Sequence, residues 1–293
     1  MIRTFALLLS RMPLVFLHGV GFLLGWMAWF ASPSYRRLFR GMLRQAIGEQ
    51  HPRYDVILRR AIGETGKGLL ELPYVWFREG EKSAAHKVVC DGWEVVEPLL
   101  KQGKGIIFLT PHLGCFEVAA QAFALRAPIT VLYRPNRNAD MQKLIETRRQ
   151  RENVALAPTD LGGVRSLLKA LKRGQAIGIL PDQVPSNGEG VWVNAWGRPA
   201  YTMNLPAKFH IQTGAVPVLT FAVRLPWGKG WHMRFEPLSV DLPADSTEAT
   251  EIINQEIEKL VLRYPEQYYW AYNRYKVPDG ATTLADAAPE DSR

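Results

Sequence analysis

An α/β fold, with a mostly parallel central sheet flanked by helices and an N-terminal membrane-anchoring helix, is predicted by three features of this 293-residue sequence. Short, apolar, β-branched runs at 105–110, 129–133 and 176–180 read as strands. Stretches of helical periodicity separate them, and strands divided by helices imply parallel pairing. Residues 12–31 contain no Asp, Glu, Lys or Arg, which as a helix is long enough to cross about 30 Å of hydrocarbon.

Composition excludes a disordered chain: 47% of the residues are hydrophobic and 22% charged. Lys and Arg number 36 against 28 Asp and Glu, a net charge of +8. That balance suits phosphate-bearing partners, an anionic membrane surface or nucleic acid. Cys90 and Cys115 make neither a disulfide framework nor the paired spacing of a zinc site, so both read as reduced thiols of a cytosolic compartment. Cys115 lies close to His112, and we read it as packing, not as a nucleophile.

Taken in order, residues 1–33 form the anchor. Arg3 and Arg11 precede the apolar run, and Arg36, Arg37, Arg40 and Arg44 follow it, which favours a cytoplasmic C-terminal side. Trp26 and Trp29 near its end, and the lack of a small-x-small cleavage site, favour a retained anchor over a signal peptide. His18, Gly19, Gly21 and Gly25 lower its hydropathy and leave a steeply tilted or interfacial helix open. A single domain is expected over 34–277, with a loose polar tail over 278–293.

Residues 35–72 read as helical and basic, suited to anionic headgroups or to solvent. Gly63-Glu-Thr-Gly-Lys67-Gly has too few residues between its glycines, and Gly68 where a Ser or Thr would hold magnesium, so it is not a phosphate loop. Helices are expected at 93–100, 116–126, 140–151 and 161–173. An apolar loop follows at 184–208, then a hairpin at 218–225 and 231–238. Asp245-Ser-Thr-Glu248 reads as a capping box for a helix reaching Arg263.

The chemistry is expected at three strand ends. His112 sits in the turn between a buried strand and a helix. Glu117 lies five residues on, roughly 140° around a regular helix, so the two meet only if His112 precedes the first helical residue. Pro111 and Gly114 could shape that turn. A carboxylate in reach favours one imidazole tautomer and makes the other nitrogen the better base. Arg134 leaves the carboxyl end of the second strand, where open α/β sheets place ligands. Asp182 and Gln183 leave the third at the same edge. By itself, Asp182 is best placed to hold Arg134 or Arg149 through a charge-assisted hydrogen bond.

The stretch His112-Leu-Gly-Cys-Phe-Glu117 resembles the His-x4-Asp/Glu motif of glycerolipid-type acyltransferases, and looks most like the bacterial lipid A lauroyl/myristoyl branch. Tyr133-Arg134-Pro135-Asn136-Arg137-Asn138 resembles that family's Tyr-Arg-Pro-x-x-Asn, and Arg149 matches a functional Arg by its position. The strand before Pro181-Asp182-Gln183, and Pro265-Glu-Gln267-Tyr-Tyr-Trp270 with Arg274, match family segments too, so the resemblance covers essentially the whole chain. It implies transfer of an acyl chain from an acyl carrier protein thioester to a hydroxyl of a lipid A precursor, with His112 as general base and Glu117 orienting it. Arg134, Arg149, Arg165, Asp182 and Gln183 would bind substrate. It further implies no cofactor, no metal and no nucleic acid, at the cytoplasmic side of a bacterial inner membrane. Two alternatives are a lysophospholipid acyltransferase using acyl-CoA, whose Glu-Gly-Thr-Arg/Ser element is absent here, and a membrane-tethered basic protein that binds polyanions.

Overall fold

The computed structural model describes residues 2–281, so the tail beyond 281 lies outside it. Helices α1 (Ile2–Arg11), α2 (Leu14–Ala31), α3 (Pro33–Ile47) and α4 (Tyr54–Phe77) come first. The stretch expected as one helical region at 35–72 is thus two helices. Gly48, at φ 75°, ends α3, because its left-handed backbone disfavours other residues. The strands that follow are β1 (Val88–Asp91), β2 (Ile106–Leu109), β3 (Ile129–Tyr133), β4 (Val154–Pro158), β5 (Ala176–Ile179), β6 (Gly190–Ala195), β7 (Arg198–Met203), β8 (Val216–Arg224) and β9 (Trp231–Pro237). Between them run α5 (Trp93–Gln102), α6 (Phe116–Ala124), α7 (Ala139–Arg149), α8 (Leu161–Lys172) and α9 (Leu205–Thr213), and α10 (Ser246–Arg263) follows β9.

The main sheet has the order β1-β9-β8-β2-β5-β3-β4. β8, β2, β5, β3 and β4 are parallel, β9 is antiparallel to β8, and β1 is parallel to β9. The expected mostly parallel sheet is therefore present, made mixed by the expected hairpin, its β8-β9 arm. Every residue of β2 is buried, and its side chains alternate between two cores. Ile106 and Phe108 join the core built on α5 and α6, whereas Ile107 and Leu109 join the one built on α3, α8, α9 and α10. A continuously apolar strand in the middle of the chain is what two covered faces require.

The segment expected as a loop at 184–208 contains the β6-β7 ribbon, which pairs only with itself, and the start of α9. Its glycine, proline and tryptophans hid the strand pattern. Asp245 caps α10 by accepting from the amides of Thr247 and Glu248, as expected.

α2 packs along α4 and not alone. Gly21 and Gly25 face Gly66 and Ile62 so closely that a Cβ on Gly25 would lie 2.2 Å from the Ile62 carbonyl oxygen. Leu14, Leu17 and Trp29 are buried beside them, each contributing on the order of 1.5–3 kcal/mol. Its own packing holds α2 to the domain.

Candidate active site

Parallel pairing sets β2, β5 and β3 level, with Leu109 beside Ile179 and Val131 beside Gly178. Their carboxyl ends release Thr110-Pro111-His112, Leu180-Pro181-Asp182-Gln183 and Arg134 onto one rim, as expected. The connection from β2 to β3 skips over β5, and such a crevice is where open α/β sheets bind ligands.

The turn carrying His112 is clamped from two sides. Gly114, at φ 60°, has no room for a side chain, since a Cβ there would lie 2.1 Å from the carbonyl oxygen of Ala222. Its amide donates to the Gln267 carbonyl at 2.9 Å, the Cys115 amide to Ala222 at 2.8 Å, and the Tyr269 amide to the His112 carbonyl at 3.0 Å. The motif at 265–270 thus fixes the turn that carries His112. Burial pushes the Cys115 thiol well above its usual range, in keeping with a packing role.

The carboxylate on the imidazole is that of Asp182, which corrects the expectation that Glu117 orients His112. His112 Nδ1 lies 2.8 Å from Asp182 Oδ1, and its backbone amide donates to Oδ2 at 2.8 Å. Burial opposes charge on Asp182, yet the facing imidazole and these two hydrogen bonds hold its carboxyl below the usual range. A carboxylate can only accept, so in the neutral ring the proton sits on Nδ1 and the lone pair on Nε2. Gln183 Nε2 lies 3.2 Å from that second nitrogen. The ring rests edge-on against Phe116, the first residue of α6, with centroids 4.7 Å apart.

Glu117 has a different partner. Its carboxylate accepts from both Nε and Nη2 of Arg149 and from Trp76 Nε1, the last at 2.9 Å. In the first turn of α6 it also faces the positive end of the helix. Arg149 is therefore locked by Glu117, and Asp182, expected to hold Arg134 or Arg149, holds His112. Arg134 is exposed and reaches Ser186 Oγ at 3.4 Å. Arg165 is exposed on α8 and is absent from the lining of the cavities beside His112.

Two cavities meet at His112, Phe116 and Glu117. One, of about 280 Å³, is lined by Arg134, Arg149 and Gln183 over an apolar floor that includes Val131, Leu156 and Met203. The other, of about 380 Å³, is more apolar and runs to Leu24, Gly25 and Ala28 of α2. Arg224, which sequence reading passed over, lines the second. It leaves the end of β8, donates to the Gly114 carbonyl at 2.8 Å, and is gripped by Glu71. No local signal could reveal it, because Glu71 and Arg224 are 153 residues apart.

Comparison with known proteins identifies the family. The family model for bacterial lipid A biosynthesis acyltransferases matches residues 2–277. The chain belongs to that family. It is accordingly an acyltransferase. A lipid A biosynthesis lauroyltransferase of Escherichia coli (strain K12) is 29% identical over 237 residues, 80% of this chain and 76% of the relative. The palmitoleoyltransferase of lipid A biosynthesis in the same strain is 26% identical over 221 residues, 75% of this chain and 71% of the relative. A lipid A biosynthesis acyltransferase of Haemophilus influenzae is 28% identical over 183 residues, 61% and 56% of the two chains. In this family member, the His-x4-Glu residues serve two different pairs, His112 with Asp182 and Glu117 with Arg149.

Proposed function

We propose that the protein moves a fatty acyl chain from an acyl carrier protein thioester to a hydroxyl of a lipid A precursor, at the cytoplasmic face of a bacterial inner membrane. What supports the reading is one imidazole, held at Nδ1 by a buried carboxylate and standing between an apolar cavity and one rimmed by arginines.

The acceptor hydroxyl displaces the Gln183 amide from His112 Nε2. As its oxygen attacks the thioester carbonyl, its proton passes to Nε2, and Asp182 steadies the imidazolium that forms. The carbonyl π electrons move to oxygen, giving a tetrahedral oxyanion, to which the displaced Gln183 amide donates. Collapse breaks the carbon–sulfur bond, and the departing thiolate takes the proton from Nε2, leaving an ester and a thiol. Base catalysis of this kind contributes roughly 10²- to 10⁴-fold. Arg134, exposed at the rim, supplies a planar charge for headgroup phosphate, with Arg149 held beside it by Glu117, and the apolar cavity beside α2 suits hydrocarbon.

Purified protein, acyl carrier protein thioesters of several chain lengths and a lipid A precursor should yield product heavier by one acyl chain in mass spectrometry. Transfer only from acyl-CoA to a lysophospholipid would replace this reading with the lysophospholipid alternative. Salt-sensitive nucleic-acid binding without any transfer would replace it with the polyanion-binding one.

A further inference from the structure

The apolar helix α2 is long enough to span a bilayer, but its surroundings are unlike those of a lone span. Its inward stripe, Leu14, Leu17, His18, Gly21, Gly25 and Trp29, is buried in the protein. The neighbour it lies along, α4, carries Asp55, Arg59, Arg60, Glu64, Lys67 and Glu71. His18, in the second turn of α2, is 6% exposed and lies with Nε2 3.2 Å from Glu71 Oε2. Crossing a membrane would carry the charges of α4 into hydrocarbon, or strip α2 from α4 and leave His18 facing lipid.

The outward stripe is apolar and open. On α2, Val15, Phe16, Leu23, Met27 and Phe30 are 50–70% exposed. Phe5 and Leu8 of α1 are exposed as well, at 63% and 53%. Trp227, 83% exposed, tips the β8-β9 turn, whose Gly228 abuts Leu14 and Val15. Exposed cations stand at both ends, Arg11 and Lys229 at one, Arg37, Arg40 and Arg44 at the other. An apolar band one helix wide between basic ends is the pattern of a helix lying in an interface, where Trp and Phe enter the acyl boundary and cations meet anionic headgroups.

We propose that the protein is monotopic: α1 and α2 lie in one leaflet of an anionic bilayer without crossing it, and the chain's start and catalytic domain stay on the same side. This deepens the membrane part of the proposed function, and it gives the α2-lined cavity a purpose. The cavity runs from Leu24 and Ala28 to His112, so a lipid substrate passes from the leaflet to the base along a half-submerged helix.

Topology can be read without any assay of transfer. Full-length protein with a protease-cleavable tag before residue 1 and another after residue 293 is expressed, and sealed membrane vesicles are treated with protease, with and without detergent. Both tags should be cleaved alike, whichever way the vesicles face. One tag cut and the other protected until detergent is added would overturn the proposal in favour of a spanning helix. In a second arm, a Leu23→Glu/Met27→Glu/Phe30→Glu variant with an unchanged melting temperature should lose at least tenfold in co-sedimentation with phosphatidylglycerol vesicles. Undiminished binding would remove α2 from the docking face. Failure of acyl transfer leaves both arms intact, so the two readings fail separately.

Discussion

Two buried carboxylates, Asp182 at the sheet rim and Glu71 beneath α2, show how different surroundings put the same group to different use. Glu71 is saturated. Its Oε1 accepts from Arg224 Nε at 2.9 Å and Nη2 at 2.6 Å, while Oε2 faces Trp231 Nε1 at 3.1 Å and His18 Nε2 at 3.2 Å. Burial would raise its pKa, but Arg224 and His18 overcome that and lower it to about 2. Asp182 instead engages one side of an imidazole whose other nitrogen points to Gln183 at a cavity. A saturated carboxylate can only hold things together, whereas one whose partner keeps a usable nitrogen can do chemistry.

The largest effects should fall on the Asp182 side. His112→Ala should lower kcat by roughly 10²- to 10⁴-fold without loss of fold. Asp182→Asn should come close to it, because Nδ1–H and the His112 amide both need acceptors and an amide offers only one. Steady-state kinetics with Glu117→Gln as control sharpens the contrast. Equal losses in kcat for the Asn and Gln variants would return the orienting role to Glu117.

On the Glu71 side the expected loss is stability. Glu71→Ala leaves the Arg224 guanidinium buried without its main counter-charge and should cost about 3–5 kcal/mol, visible in denaturant melts. An unchanged melt would mean that water or Glu64 replaces the pairing. A smaller effect is expected at Arg149→Lys, which loses the fork on Glu117: KM for the lipid acceptor should rise about tenfold with kcat less affected. A change confined to kcat would place Arg149 at the reacting atoms.

The smallest effect is the pH dependence. Because the folded-state pKa of Glu71 is lowered from 4.5 to about 2, its contribution is fully present above pH 4.5 and is lost as the pH falls towards 2. Asp182, also lowered, acts in the same direction. Glu71→Gln should flatten the acid limb of the melting temperature against pH. An unchanged acid limb would assign acid unfolding to other carboxylates.

The sequence by itself determined the elements whose signal is local. The apolar runs of β2, β3 and β5, the β8-β9 hairpin and the Asp245 cap all declare themselves within a few residues, and so does the delivery of His112, Arg134 and Asp182 to strand ends. β4 escaped because Val154-Ala-Leu-Ala-Pro158 is an edge strand with one β-branched residue, two alanines and a proline, and β6 and β7 because their pairing is with each other and not with the sheet. Which acid meets which base was decided by tertiary structure alone. Glu117 is five residues from His112, yet Asp182, 70 residues away, is its partner, because β5 inserts between β2 and β3. Hydrophobic periodicity reports which face of an element is buried, not which element lies beside it. The neighbours that set a proton's position, or turn an apolar helix onto a charged one, therefore exist only once the sheet order is made.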